Sequence, residues 1–452
     1  MRKTTGIIGI AAVIIVAAGV AAPWYTGQRI EQEFRQGVGQ ISTSVPTEVT
    51  RYDRGWRTSE AVTHTVIDTE DGPFPVDVHH HITHGPWGFG WAHIDSTPEL
   101  GEHQPTVAHY FGDQPALEAT TTVGFDNDVD IDWRSPAFEE TKVPEVPGAR
   151  LAWGGMEGHY RLDDDRTASD VSIPSLNFTS DDATLVLKSL RLESSGAGGP
   201  DWPNMDNFWD GRLKTTLGQL HYQNDSEDVA LKLGLDGQAQ LRDSGDEGLS
   251  MTGSWQLSNM LMRSPSLAEP LIINNATQTL LLKGLPRDAT RHLLIGLSTL
   301  DDSLDEDQVS GQVQQMMTQY LMAVLQGAPT LETTVAGLDT PRGSLEGKLA
   351  INLEPGDGSE RSPVTSALGR AALTLDMASD RTLLERLVTR SGPNARRPAS
   401  LLDGLEQEGL LVRDGERYRV DVQMDSRDLR VNGESHPELY MMLPLLLMSL
   451  NS

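Results

Sequence analysis

The chain has 452 residues, a formal net charge of −29 and a sequence pI near 4.7. Hydrophobic residues make up 38% of the chain and charged residues 22%, which is typical of a folded protein. The acidic balance argues against binding to nucleic acid or to anionic lipid headgroups, because both need a basic surface. The absence of cysteine excludes disulfides, thiolate metal sites and thiol catalysis.

Residues 1–28 are predicted to form a short cytoplasmic start and a transmembrane signal anchor. No charged residue occurs from Thr4 to Gln28, and this stretch is long enough to cross about 30 Å of hydrocarbon. Arg2 and Lys3 precede it, so the positive-inside rule keeps the N-terminus in the cytoplasm and places the rest of the chain on the outer side of the membrane. Cleavage as a signal peptide is the alternative; Pro23 disfavours cleavage after Ala22, and cleavage after Ala21 stays open.

Residues 29–44 are predicted to form a juxtamembrane amphipathic helix, because Ile30, Phe34, Val38 and Ile41 recur at helical spacing. Residues 45–328 are predicted to form a β-rich periplasmic region. Alternating runs there, such as residues 62–68 and 76–82, are separated by turns rich in Gly, Asp and Ser. Residues 329–452 are predicted to form a C-terminal α+β region, either separate from or continuous with the preceding one.

Two helices are predicted late in the chain. The first has one face formed by Val309, Val313, Met316, Met317, Tyr320, Leu321 and Val324, and ends at Gly327. The second starts at Asp380 and buries Leu383, Leu384, Leu387 and Val388. Asp414-Gly415 and Asn432-Gly433 are typical hairpin turns. The predicted fold is α+β, mainly β: a transmembrane helix and then an extended, curved antiparallel sheet with a few covering helices.

So few helices leave many strand faces without a covering element. An apolar groove on the sheet, filled by a ligand, would cover these faces. The apolar stretch at residues 439–450 is expected to help close the groove. The alternative is a closed sandwich in which this last stretch is part of the core.

The histidine-rich run at residues 79–84 is the main candidate for chemistry. On a strand, His79 and His81 share one face with Asp77, and imidazole with carboxylate suits zinc. The alternative is that these histidines face solvent or form hydrogen bonds, because no second metal-binding motif accompanies them. Alternating aspartates at residues 126–132 resemble the start of a calcium loop, but the required Gly and the closing acidic residue are absent.

Several motifs resemble those of the YdgA-like family of Gram-negative envelope proteins, whose function is not established. They are Trp24-Tyr25-Thr26-Gly27, Tyr52-Asp53-Arg54-Gly55-Trp56, His84-Gly85-Pro86-Trp87, Trp153-Gly154-Gly155 and residues 429–433. The resemblance spans nearly the whole chain and implies an inner-membrane anchor and a periplasmic domain. It supplies no catalytic residues, and the Gly-Pro context predicts that His84 supports a strand end or a turn.

Three functions are compatible with these observations. The first is non-enzymatic binding of lipid or another hydrophobic ligand in the apolar groove. The second is a tethered scaffold or assembly factor for another envelope protein, and the third is a metal-dependent hydrolase that uses the strand from His79 to His84. Fingerprints of serine hydrolases, P-loops and dinucleotide-binding proteins are absent, and no cofactor is predicted.

Overall fold

The computed structural model describes residues 31, 34, 35, 38, 46–55, 58–69, 72–84, 90–126, 128–144, 146, 148–163, 166–197, 210–224, 228–265, 267, 269–298, 306–355, 369–390 and 398–439. The predicted transmembrane segment, residues 4–28, lies outside them. Over the described ranges, the helices are too short or too polar to cross a membrane.

The chain divides into two compact units, residues 1–231 and 232–452. The boundary at 328/329 that the sequence suggested falls inside the second unit. There, the strand that precedes this position pairs directly with the strand that follows it, so the sheet is continuous across it.

The first unit is an antiparallel sheet with one short helix, α1 (Gln104–Phe111). Its strands are β1 (Thr47–Arg54), β2 (Thr58–Thr69), β3 (Gly72–His84), β4 (Ala92–Glu99), β5 (Glu118–Val123), β6 (Val129–Ser135), β7 (Phe138–Glu140), β8 (Arg150–Trp153), β9 (Met156–Asp163), β10 (Arg166–Thr179), β11 (Ala183–Ala197) and β12 (Gly211–Asn224).

The first six strands form a meander in which each strand pairs with the next. β6 then pairs with β9, and the sheet continues through β10, β11 and β12. β8 and β9 both pair with β10, one after the other along the same edge. Gly154 and Gly155 join them, and Gly155 has a φ of 87°, which favours glycine.

The core of the first unit lies on one face of β2 to β6. Ile82, Val123 and Ile131 are fully buried, and the neighbouring Asp130 and Asp132 point away from them. The aspartate run therefore belongs to the polar side of a strand, as the alternation predicts.

The predicted juxtamembrane helix is described at four positions: Glu31, Phe34, Arg35 and Val38, all of them helical. Phe34 and Val38 are buried in the core of the first unit. At these positions the apolar side of the helix packs on the sheet.

The second unit contains four helices, α2 (Arg287–Ser298), α3 (Glu306–Gln326), α4 (Arg381–Arg390) and α5 (Pro398–Gln407). Its strands are β13 (Val229–Asp243), which begins at the boundary, β14 (Leu249–Arg263), β15 (Leu271–Leu285), β16 (Thr330–Thr340), β17 (Gly343–Leu353), β18 (Ala371–Asp380), β19 (Val412–Asp414), β20 (Arg417–Met424), β21 (Leu429–Val431) and β22 (Glu434–Ser435).

Successive strands from β14 to β18 pair as an antiparallel meander, and β18 then pairs with β20. β19 and β21 both pair with β20, and β22 with β21. Helices α2 and α3 connect β15 to β16, and α4 and α5 connect β18 to β19.

The prediction of a mainly β, antiparallel fold with few helices is confirmed. The Asn432-Gly433 turn is also confirmed, because Val431 pairs with Glu434. The first hairpin is displaced by one residue from its prediction. Asp414 pairs with Arg417, so Gly415 and Glu416 form the loop.

The two predicted helices are present as α3 and α4. Leu383 and Leu384 of α4 are buried as expected. In α3, Met317 is 48% exposed and Leu321 is 53% exposed, so the predicted buried face was too wide. The last apolar stretch is described only at Leu439, and residues 440–452 lie outside the described residues.

Candidate functional site

The histidines of β3 divide between the two faces of the sheet, as strand alternation requires. Asp77, His79 and His81 lie on the exposed face, and each pairs with a different residue of a neighbouring strand. Asp77 Oδ1 is 2.7 Å from His64 Nδ1, His79 Nε2 is 2.8 Å from Glu99 Oε2, and His81 Nδ1 is 2.6 Å from Glu60 Oε1.

The structure therefore does not bring the three predicted metal ligands together. Elsewhere on this side, His159 Nδ1 lies 2.9 Å from Asp132 Oδ1. No group of three or more His, Cys, Asp or Glu suited to a metal ion occurs among the residues that the structure describes. These separate imidazole–carboxylate pairs form a solvated polar surface. Exposed pairs of this kind contribute little to the stability of the fold.

His80 lies on the opposite, buried face and is 5% exposed. Its Nδ1 is 2.8 Å from Ser96 Oγ, and its Nε2 is 3.0 Å from Thr63 Oγ1. The Phe34 ring meets it edge-on at a centroid distance of 5.2 Å. Burial, with a smaller contribution from His79, lowers the pKa of His80 to about 4, so the imidazole is neutral at pH 7.

Two of the motifs that carry the family resemblance, those that contain Arg54-Gly55 and His84, meet at one end of β1, β2 and β3. Arg54, at the end of β1, pairs with Ser59 of β2, and Gly55 forms the turn between them. Gly55 N donates to Thr58 O at 2.9 Å, and a side chain on Gly55 would overlap that carbonyl. His84 is the last residue of β3, as its context predicts. Gly85 and Pro86 lie outside the described residues.

This end of the sheet holds an unusual set of buried polar atoms. Tyr52 Oη, Ser59 Oγ and His84 Nε2 are buried and have no hydrogen-bond partner of acceptable geometry in the described part of the chain. Burial raises the pKa of Tyr52, and the nearby Ser59 hydroxyl opposes that shift. Burial also lowers the pKa of His84, and the charge of Arg54 acts in the same direction.

Tyr52, Ser59 and His84 therefore place neutral, buried polar groups beside a tight turn, whereas Arg54 is exposed. Since Ser59 Oγ has no hydrogen bond to an imidazole or a carboxylate over the described ranges, it is not arranged as a nucleophile with its base. The arrangement of these residues indicates a role in the fold and not in catalysis.

The second candidate site is an apolar surface on one side of the second unit's sheet. The cross-strand pairs from β14 through β18 to β20 line up four rows of side chains on one side of the second unit's sheet. The first row is Met251, Leu282, Leu331, Ile351, Leu373 and Met424. The second is Gly253, Leu280, Thr333, Leu349, Leu375 and Val422. The third is Trp255, Gln278, Val335, Gly347, Met377 and Val420. The fourth is Leu257, Ala276, Leu338, Leu345, Ser379 and Tyr418.

These four rows, called the apolar face below, contain no charged residue. The alternate positions of the same strands point to the other side and are mostly polar. There, Lys348 Nζ lies 3.4 Å from Glu332 Oε2 and pairs across the sheet with Asp376. The sheet of the second unit is thus amphipathic, with one apolar and one charged side.

The apolar face is only partly buried, in contrast to the core of the first unit. Leu280, Leu282, Leu331, Leu349 and Ile351 all lie on central strands and are partly exposed. Helices cover one corner, where Leu384 of α4 and Leu402 of α5 pack with Tyr418. A partly exposed apolar surface of this extent is typical of an interaction site.

Within the third row, the indole of Trp255 lies flat on the sheet. A side chain at Gly253 would overlap its six-membered ring, and a Cβ at Gly237 of β13 would lie 2.7 Å from its Cδ1. The two glycines leave the space that the ring occupies. We call Gly237, Gly253 and Trp255 the tryptophan trough.

Sequence reasoning predicted an apolar sheet face but did not single out its residues. The available signal was Gly253-Ser254-Trp255, a glycine two residues before a tryptophan in a strand. This pattern places both residues on one face. The partner Gly237 comes from another strand, β13, and only the tertiary structure brings it close to Trp255.

Comparison with known proteins gives one match. The family model described as "Bacterial protein of unknown function (DUF945)" matches residues 1–438. No curated protein and no solved structure matches the chain. A match over nearly the full length shows that the chain belongs to this bacterial family of unknown function.

Proposed function

We propose that this protein is anchored in the bacterial inner membrane by residues 4–28, and that it binds the acyl chain of a lipid on its apolar face in the periplasm. The observation that carries the proposal is the apolar face itself: four uncharged rows across six strands, partly exposed on central strands. Burying such a surface against an alkyl chain is favourable by about 25 cal/mol per Å² of apolar area.

The location rests on the sequence. The uncharged segment behind Arg2 and Lys3 supports an anchor, and the motifs similar to those of the YdgA-like envelope proteins support a periplasmic domain. The net charge of −29 makes adsorption to anionic headgroups unfavourable, so the proposal assigns lipid recognition to the hydrocarbon chain.

The test compares neighbouring leucines on opposite sides of β15. Leu280 belongs to the apolar face, whereas Leu281 pairs with Glu332 on the polar side, and both are partly exposed. Full-length protein is extracted, delipidated and titrated with a dansyl fatty acid. Leu280→Asn should weaken binding by about tenfold, since about 1.4 kcal/mol of apolar contact is lost. Leu281→Asn is the matched control and should bind like the wild type.

Urea unfolding of both variants controls for stability. Equal binding by wild type and Leu280→Asn, or no saturable binding by the wild type, contradicts the proposal. Native mass spectrometry of the protein extracted from its own membrane supplies the independent result. Bound lipid supports the proposal, whereas a stoichiometric envelope protein without lipid supports the tethered scaffold instead.

A further inference from the structure

Helix α3 carries two rows of side chains that lie next to each other, and the first row packs on α2. This inner row consists of Val309, Val313, Met316, Tyr320 and Ala323, separated alternately by four and three residues. A side chain on Gly296 of α2 would overlap Met316 Sδ, and Thr290 Oγ1 of α2 lies 3.4 Å from Tyr320 Oη. The inner row is therefore the side by which α3 contacts its neighbouring helix.

The second row, called the outer row below, has the same spacing and faces solvent. It consists of Ser310, Gln314, Met317, Leu321 and Val324. Met317 and Leu321, at its centre, are 48% and 53% exposed. Alternate spacing of four and three residues is the pattern by which one helix packs along another. The outer row therefore has the form of a helix-pairing surface.

The charge distribution around α3 indicates which kind of partner this surface fits. No charged residue occurs from Gln308 to Gln326, although the chain as a whole has a net charge of −29. By contrast, residues 301–307, which lead into α3, contain five acidic residues and no basic one. This acidic run would be repelled by an anionic lipid surface. The uncharged helix, however, lets two copies of an acidic chain approach each other without repulsion.

The outer row is also complementary to itself. Met317 and Leu321 lie two residues on either side of Gln319, and Gln314 and Val324 lie five residues on either side. A twofold axis at Gln319 brings Met317 against the partner's Leu321, and Gln314 against the partner's Val324. Helices related in this way run antiparallel, so the two acidic runs lie at opposite ends of the pair. A parallel pair would bring these runs together.

We infer that two copies of this protein associate through the outer row of α3, as an antiparallel helix pair with a twofold axis at Gln319. The inference goes beyond the proposed function and does not depend on lipid binding. Each copy contributes both Met317 and Leu321, so the central contact is made twice. One helix pair buries a small area, and a dimer that dissociates on dilution is expected.

The test is sedimentation equilibrium of the full-length protein in detergent over a range of concentrations. Wild type should show a monomer–dimer equilibrium. Leu321→Glu should weaken the association by about a hundredfold, because an unpaired carboxylate enters the interface twice. Gln319→Glu is the matched control, since it adds the same charge at an exposed position on the opposite side of α3. It should associate like the wild type, and urea unfolding checks that each variant is folded.

A charge-compensated variant tests the direction of the two helices. Met317→Lys alone should also weaken association. Met317→Lys combined with Leu321→Glu should restore it to within about tenfold of wild type, because each new lysine then faces the partner's new glutamate. A parallel pair would place like charges together and would not be restored. Wild type that stays monomeric, Leu321→Glu that associates like wild type, or a combined variant that stays monomeric would each overturn the inference.

Discussion

At the scale of single residues, three adjacent histidines have different environments because a strand alternates its faces. His79 and His81 are exposed and paired with carboxylates, whereas His80 is buried between two hydroxyl groups. The sequence predicted this alternation. The buried face is the one on which His80 alternates with Val76, Val78 and Ile82. The sequence did not predict the hydrogen-bond partners Thr63 and Ser96, because they come from neighbouring strands.

The buried histidine predicts a dependence of stability on pH. The pKa of His80 falls to about 4 in the folded chain, below the unfolded value of about 6.5. Protonation therefore favours unfolding. The stability that neutral His80 contributes is complete above about pH 6.5, and it is lost as the pH falls toward about 4. The loss by about pH 5 is about 2 kcal/mol.

Urea unfolding at about pH 7.5 and about pH 5 measures this effect. His80→Gln keeps a hydrogen-bonding side chain but does not titrate, so it should lose about 2 kcal/mol less than the wild type on acidification. His79→Gln, on the exposed face, should behave like the wild type. An equal pH dependence in all three proteins would show that His80 is already accessible to protons in the folded state.

At the scale of elements, turn chemistry and helix caps were more predictable than helix faces. Asn432 and Gly433 have φ values of 52° and 87°, which their residue types tolerate. The exposed Met317 and Leu321 of α3 show the limit of periodicity. A heptad-like pattern indicates which residues share a face, but the width of the buried stripe depends on the partner that packs on it.

Two glycine substitutions should change stability in opposite directions. Gly433 needs a positive φ, whereas Gly404 lies inside α5, and neither meets an atom within 4 Å of an added Cβ. Gly433→Ala should destabilise the second unit by about 1 kcal/mol through backbone strain. Gly404→Ala should stabilise it by about 0.5–1 kcal/mol through helix propensity. Urea midpoints measure both, and a shift in the same direction for the two variants would contradict this assignment.

At the scale of the whole molecule, the chain is two compact units of similar length. They differ in how their apolar side chains are buried. The first unit has fully buried Ile82 and Ile131 under the helix that carries Phe34. The second unit keeps the leucines of its central strands partly exposed. The difference locates the proposed binding function in the second unit.

The anchor is a prediction about the whole molecule. A reporter enzyme that is active only in the periplasm, fused after Ser452, should be active, because Arg2 and Lys3 keep the N-terminus in the cytoplasm. N-terminal sequencing of the membrane-bound protein should find residues before Ala22. A soluble mature form that begins at Ala22 or Pro23 would show instead that the segment is a cleaved signal peptide.

The sequence alone determined the mainly β class, the alternation that separates His79 and His81 from His80, and the hairpin at Asn432-Gly433. These features depend on residues close together in the chain, and local geometry is sufficient to produce them. Tertiary structure decided the rest. The separate partners of the candidate metal ligands and the four rows of the apolar face depend on strand register, and the meeting of Gly237 with Trp255 depends on how distant strands pack. Register is set by pairing between distant segments, and a shift of one residue would turn every side chain to the other face.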